Sequence, residues 1–382
     1  MNAEAYSTMR EAMRLMQTGD LLAATAAIQQ GLSGAAAAEA STPGESSDRS
    51  PIEGTFRVVD EMPLVAEDSP VAPYLGRVSP SEERTHFSEH TYAGPAGSRR
   101  YKLFIPSAYR GQALPLIVML HGCTQTPDDF ATGTRMNKLA EKRACFVVYP
   151  AQPQSANMSK CWNWFQASNQ RRDEGEPAII AGMVRELLLK YGLDQDRVYV
   201  GGLSAGAAMA VILGQAYPEL FAAVGVHSGL PYAAAHDLPS AFAAMHQRGM
   251  ADPNIAHRGN PQARQGAIPT IVFHGDRDIT VHPSNGEKVV NQSAGPAFNA
   301  GDSSGAAAEE ICAGPTPDGR AHTRRIFRDG DGNVIVEYWL VHGAAHAWFG
   351  GDPRGSHTDT KGPDASREMI RFFLERKRAP NN

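Results

Sequence analysis

The stretch that decides the fold is residues 197–217, RVYVGGLSAGAAMAVILGQAY. Its opening, Arg197-Val198-Tyr199-Val200, is a short apolar run that reads as a buried strand. Its close, Ala207 to Tyr217, is rich in Ala, Met, Ile and Leu and reads as a helix. Between them lies Gly202-Leu203-Ser204-Ala205-Gly206, a G-x-S-x-G pattern. A strand that passes straight into a helix needs a sharp turn, and side chains on either flank would crowd it, so glycines sit there. The turn lifts the Ser204 hydroxyl above the strand ends and aims the helix N-terminus at whatever anion forms beside it. Such pentapeptides arise by chance in Gly/Ala-rich chains. The strand before and the helix after make Ser204 a candidate nucleophile.

A serine hydroxyl attacks poorly at neutral pH until a histidine takes its proton and a carboxylate fixes that histidine's tautomer. On a strand–turn–helix elbow the partners follow in the order Ser, then Asp or Glu, then His. Downstream, Pro269-Thr270-Ile271-Val272-Phe273-His274-Gly275-Asp276-Arg277-Asp278 is an apolar strand ending in a polar turn. Either Asp276 or Asp278 fits the carboxylate, and spacing from the strand end does not choose between them. Asn333 to Val341 reads as a further strand, followed by His342-Gly343-Ala344-Ala345-His346-Ala347-Trp348. His346 then lies in a Gly/Ala-rich loop from which an imidazole can swing over the serine. His342, abutting the strand end, reads as structural.

The oxyanion donors come from upstream. Leu116-Ile117-Val118-Met119-Leu120 is apolar throughout, as a central parallel strand buried on both faces should be, and it runs into His121-Gly122-Cys123. The backbone N–H groups of Cys123 and Ala205 are the candidates to hold a tetrahedral oxyanion, with Gly122 letting the backbone come close. Thr91 to Pro106 reads as a pair of opening antiparallel strands turning at Gly94 to Gly97. Cys145 to Tyr149 reads as another buried strand and Pro177 to Tyr191 as an amphipathic helix. Alternating strand and helix signals through Val226 and Phe273 predict an α/β-hydrolase fold, a mostly parallel sheet with helices on both faces. Ligands on such a sheet bind beyond the C-terminal strand ends, where every residue singled out above falls.

Five motifs in order, His121-Gly122-Cys123-Thr124-Gln125, Cys161-Trp162-Asn163-Trp164-Phe165, the Ser204 elbow, His274-Gly275-x-x-Asp278-x-x-Val281 and His346-Ala347-Trp348, resemble the polyhydroxybutyrate (PHB) depolymerase family of esterases. The resemblance covers roughly residues 85 to 378 and leans toward the family's intracellular branch. It implies a serine esterase acting on poly(3-hydroxyalkanoate) or 3-hydroxybutyrate oligomers. Ser204 would be the nucleophile, Asp278 rather than Asp276 the carboxylate, and His346 the general base. The Cys123 and Ala205 amides would form the oxyanion hole. Trp348 would be an apolar wall near the scissile ester, with His121 also at the substrate. Some relatives act on feruloyl or acetyl groups, so a carboxylesterase of that kind is the alternative, and a non-catalytic granule-associated protein the second. No metal or organic cofactor is implied. Cys123 and Cys161 both flank family motifs, and a disulfide between them and a pair of free thiols both remain open.

Composition bounds the rest. The chain has 382 residues and a formal net charge of -5, which with no basic stripe argues against nucleic-acid binding. No apolar stretch approaches the roughly eighteen residues that span a bilayer. Met1 to Arg14 mixes Glu4, Glu11, Arg10 and Arg14, unlike the basic start and clean apolar block of a signal peptide. The expected compartment is cytoplasmic, possible association with polymer granules included, and the alternative extracellular. The four cysteines do not make a disulfide scaffold in a chain of this length, and no His/Cys spacing suggests zinc. Residues 1–32 read as a helical hairpin with a Met-rich stripe (Met9, Met13, Met16) that fits docking to a granule coat or a protein. Residues 33–83, rich in Ala, Ser, Pro, Gly and acids, read as a flexible linker, and 84–378 as the catalytic domain. His246 to Gln265 and Ser293 to Asp318 lack a period and read as solvated loops or a lid.

Overall fold

The computed structural model describes residues 87–246, 268–294, 309–315 and 319–378. The expected hairpin and linker of residues 1–83 and the segment 247–265 lie outside the described residues. A ten-stranded sheet runs through the molecule in the order β1-β2-β4-β3-β5-β6-β7-β10-β9-β8. The opening hairpin is β1 (Phe87–Gly94) and β2 (Gly97–Phe104), antiparallel and turning between Gly94 and Gly97. The middle six strands are mutually parallel: β4 (Phe146–Pro150), β3 (Leu116–Leu120), β5 (Val198–Leu203), β6 (Ala223–His227), β7 (Thr270–Gly275) and β10 (Val334–Val341). β9 (Ala321–Arg328) and β8 (Glu309–Pro315) close the far edge in antiparallel pairing.

Why the parallel strands are apolar throughout follows from what covers them. Along β3, Leu116, Val118 and Leu120 enter one core and Ile117 and Met119 the other, so both faces of the strand are buried. On the first face lie α3 (Gly175–Tyr191) and α4 (Ala205–Ala216), through Ile180, Met183, Leu187 and Met209. On the second lie α2 (Met136–Arg143) and α7 (Ala365–Leu374), through Met136, Ala140, Met369 and Phe373. α1 (Pro127–Thr134) follows the β3 loop, α5 (Leu238–Met245) follows β6, and α6 (Ser284–Ala294) follows β7. Asp237 caps α5 and Asp364 caps α7, each accepting from a backbone N–H of the first turn.

One reading of the sequence is corrected here. Ser293 to Asp318 was expected as a loop or lid throughout, yet Ser293 and Ala294 end α6 and residues 309–315 form the edge strand β8. The edge of β9 that faces away from β10 is taken by β8 in full register, Glu309 opposite Phe327 through Pro315 opposite Ala321, a pairing of backbones that any side chains allow.

Candidate functional site

The elbow forms where β5 meets α4. Ser204 has φ 57° and ψ −120°, a conformation strained for any residue with a Cβ, at a cost of about 1–3 kcal/mol. It is held by what surrounds it. The Ser204 N–H donates to the His227 carbonyl at 2.9 Å, and the Ser204 carbonyl accepts from the Ala208 N–H at 3.0 Å. The two flanking glycines are required by close approach. A Cβ on Gly206 would sit 2.1 Å from the Leu120 carbonyl oxygen and 2.6 Å from that of His121, and one on Gly202 would sit 2.6 Å from the Leu120 oxygen. The elbow, which carries the Ala205 amide, is thus pressed against the end of β3, from which the chain runs on to Cys123.

Around Cys123 the backbone donors can be accounted for one by one. The Gly122 N–H donates to Gln125 Oε1 (2.9 Å), the Thr124 N–H to the Ser159 carbonyl (2.7 Å) and the Gln125 N–H to the Gly122 carbonyl (3.4 Å). The Cys123 N–H meets no acceptor among the described residues. The choice left open between thiols and a bond at Cys123 and Cys161 falls to the bond: they form a disulfide. Trp162 reinforces it, its Nε1–H donating to the His121 carbonyl at 3.1 Å.

Asp278 and His346 come together from different strands. Asp278 lies in the turn after β7 and is 2 % exposed. Its Oδ1 accepts from the Thr280 and Val281 N–H groups at 2.9 and 2.8 Å, and its Oδ2 lies 2.7 Å from His346 Nδ1. Burial pushes this carboxyl up. The hydrogen bond and charge of His346, with the Val281 N–H and the charge of His274, outweigh it and hold the group below its usual value. A carboxylate at that nitrogen assigns the proton to Nδ1 and leaves Nε2 as the lone pair. Ser204 and His346 are not hydrogen-bonded to each other among the described residues, a contact that is commonly long until substrate tightens it.

The rival residues pair with each other instead. Asp276 Oδ2 lies 3.0 Å from His342 Nδ1, on the exposed side of the same strand ends. Two residues expected at the substrate are buried. His121 is 1 % exposed: its Nδ1 lies 2.8 Å from the Gly122 carbonyl, its Nε2 accepts from the Gln152 N–H, and burial drives its pKa down to about 4. Trp348 is equally buried, its Nε1–H donating to Ser366 Oγ and its ring against Phe130 and His227. Neither side chain presents an open surface. His227 stacks between Trp348 and Phe273 and accepts from the Phe349 N–H, so the carbonyl that receives the Ser204 N–H sits on a rigid ring stack.

Sequence reasoning missed Glu176. It is buried in the first turn of α3, where its carboxylate accepts from the Asn163 N–H and Nδ2–H, both at 2.8 Å, and from Gln152 Nε2 at 2.5 Å. That anchors the Cys161–Asn163 segment that is bonded to Cys123. A glutamate immediately before Pro177, in a helix start otherwise facing the core, was the available signal. A cleft of about 600 Å³ lined by residues including Arg99, Lys102, Gln125, Asp128 and Lys160 lies nearby, with none of Ser204, Asp278 or His346 in its wall.

A parallel sheet, a strained serine between strand and helix, and an Asp–His pair at the next strand ends define an α/β-hydrolase. Within that class the family is specific: the family model described as Esterase PHB depolymerase matches residues 99–308, more than half of the chain, and the chain belongs to that family. Poly(3-hydroxyalkanoate) depolymerase C of Paucimonas lemoignei is 31% identical over 72% of this chain and 64% of its own length. A probable acetylxylan esterase A of Aspergillus fumigatus is 30% identical over 53% of this chain and 56% of its own. The chain therefore spans less than two thirds of either relative. An acetyl xylan esterase structure from Aspergillus awamori shares the fold, with a TM-score of 0.59 at 21% identity over 75% of this chain and 98% of that one. Among the described residues no helix is long and apolar enough to cross a membrane.

Proposed function

We propose that the protein is a serine esterase that hydrolyses ester bonds of poly(3-hydroxyalkanoates) or 3-hydroxybutyrate oligomers, with Ser204, Asp278 and His346 as its triad. The observation that carries this is the 2.7 Å contact between His346 Nδ1 and the buried Asp278, in a chain whose strand-to-helix elbow holds Ser204 at φ 57°. In this scheme Ser204 Oγ attacks the ester carbonyl while His346 Nε2 accepts its proton. Asp278 stabilises the imidazolium that results. The Cys123 and Ala205 amides take the oxyanion, each worth about 3 kcal/mol of barrier. Collapse expels the alkoxide with a proton from His346, and water repeats the sequence on the acyl-enzyme.

Turnover of a p-nitrophenyl acyl ester by Ser204→Ala tests the scheme, and a fall of at least about a thousandfold is expected. Activity within tenfold of wild type refutes it. The similarity to proteins named acetylxylan esterase supports a second reading, a carboxylesterase of acetyl or feruloyl groups. Comparing 3-hydroxybutyrate oligomers, acetylated xylan and methyl ferulate separates the two. Organophosphonate labelling of Ser204 separates both from a non-catalytic granule protein, because only an activated serine reacts. Docking of residues 1–32 to a granule coat belongs to the same proposal. The Cys123–Cys161 bond supports the extracellular alternative over the cytoplasmic one, since the cytosol keeps such pairs reduced.

A further inference from the structure

The ladder between β7 and β10 ends where Val341 faces Gly275. Beyond that point the chain carrying Asp278 and the chain carrying His346 leave the sheet separately. Two main-chain bonds still join them, the Asp276 N–H to the Val341 carbonyl (3.1 Å) and the Arg277 N–H to the Ala344 carbonyl (3.0 Å). The Asp276 side chain adds two more. Its Oδ1 accepts from the Gly343 N–H at 2.7 Å, and its Oδ2 lies 3.0 Å from His342 Nδ1. On the other side of that ring, Nε2 lies 2.9 Å from Thr323 Oγ1 of β9. These partners assign Nδ1–H as donor to Asp276 and Nε2 as acceptor from the Thr323 hydroxyl. One carboxylate and one imidazole thus tie together the turn after β7, the loop after β10 and the neighbouring strand.

Their placement argues against a role in holding the fold. The side chains of His342 and Asp276 are 43% and 35% exposed, so the pair buries little, and exposed ion pairs contribute little to stability. Gly343, at φ 69°, is where the loop reverses toward His346, and its N–H is the group Asp276 holds. A loop tethered at its reversal point delivers the residue three positions on to a defined place.

We propose that Asp276 and His342 are a positioning pair: they set the distance and angle at which His346 meets Asp278, without touching substrate. The proposal rests on the triad reading above. Its energetic basis is that small misplacement of a reacting group is expensive, about a hundredfold in rate for 1 Å.

The test uses the full chain and p-nitrophenyl acetate, with Asp276→Ala, Asp276→Asn, His342→Ala, the double alanine variant and Ser204→Ala. Asp276→Ala and His342→Ala should each lower kcat about tenfold with KM within about twofold, a smaller loss than a full 1 Å shift would bring. Because the two act through one linkage, the double variant should lose no more than the worse single one. Asp276→Asn keeps an oxygen for the Gly343 N–H and offers an N–H to His342 Nδ1, whose ring then takes the other tautomer and donates from Nε2 to the Thr323 hydroxyl oxygen, and should recover kcat to within about threefold. Thermal melts of each variant check that the fold is intact. If both alanine variants keep kcat within twofold, or if the asparagine variant loses as much as the alanine one, the positioning role is wrong. Should Ser204→Ala lose activity while Asp276→Ala does not, only the pair's role fails. Were Ser204→Ala to stay active, the triad reading would fall and take the pair with it.

Discussion

Burial alone would raise the Asp278 carboxyl, and the His346 Nδ1–H at 2.7 Å is what brings it below its usual value. The sign follows: a carboxylate with a lowered folded pKa contributes stability above its unfolded value and loses it as pH falls through the folded one. Asp278→Asn keeps the shape but inverts the hydrogen bond and forces the wrong imidazole tautomer. At pH 7 a fall in kcat of about 10⁴-fold is expected in turnover of p-nitrophenyl acetate, and a loss under tenfold would count against Asp278. Three buried histidines act on stability in the same direction. Burial lowers His121 to about 4 and His227 well below the ordinary 6.5, the latter disfavoured further by any charge on His274 or His346. Burial also lowers His274, against the Val281 carbonyl and Asp278, which raise it. These rings are neutral in the fold, and the unfolded chain takes up the protons between those lowered values and 6.5. Their contribution is therefore complete above pH 6.5 and shrinks as pH falls toward 4. The melting temperature should be lower at pH 5 than at pH 7; equal values would contradict the burial of these rings.

The elbow and the segment after β3 are two elements with one fit between them. Gly206→Ala places a Cβ inside van der Waals distance of the Leu120 and His121 carbonyls, which are backbone atoms with no rotamer to change. The elements must then separate, at a cost of about 1–3 kcal/mol by the measure of overpacked cores, read by urea denaturation, with kcat falling alongside. The Cys123–Cys161 bond fixes the same segment from the other side. It closes a separation of 38 residues, for which the chain-entropy relation gives about 4 kcal/mol. The Cys123→Ala/Cys161→Ala variant should lose stability of that order and lose kcat more than KM, since the Cys123 amide is freed to move. The strands at this junction were legible in the sequence because an apolar run such as Leu116–Leu120, or the apolar centre Ile271–Phe273 of β7, suits a strand buried on both faces. The choice of Asp278 over Asp276 was not legible from spacing, since both sit in one turn and only the neighbouring strand's loop separates their partners. The burial of His121 and Trp348 was not legible for a related reason. A ring at a strand end can face outward or inward, and the groups that turn these inward, Gln152, Trp162 and Ser366, lie far along the chain or after a loop. The helices α1 and α2 are only eight residues each, too short for a periodic signal, and β8 pairs through its backbone.

Contacts divide the whole chain into two units, residues 1–78 and 79–382. Every residue named in the site belongs to the second, as do both hydrophobic cores. On the proposed triad, a unit that holds its own cores, its elbow and its Asp–His pair has what hydrolysis of a small soluble ester requires. A polymer surface makes a different demand, because encounter with it is repeated and a second attachment raises the effective concentration of the site. The Met-rich stripe of residues 1–32 is the feature of the sequence suited to such an attachment. Residues 79–382 alone should therefore turn over p-nitrophenyl acetate with kcat/KM within about threefold of the full chain, while polyhydroxybutyrate granules sediment less of the shortened protein. The two measurements are independent. A collapse of soluble-ester turnover would place part of the catalytic machinery in the first unit. Equal sedimentation with granules would remove the attachment role from residues 1–32 and leave polymer binding to the rim around Ser204.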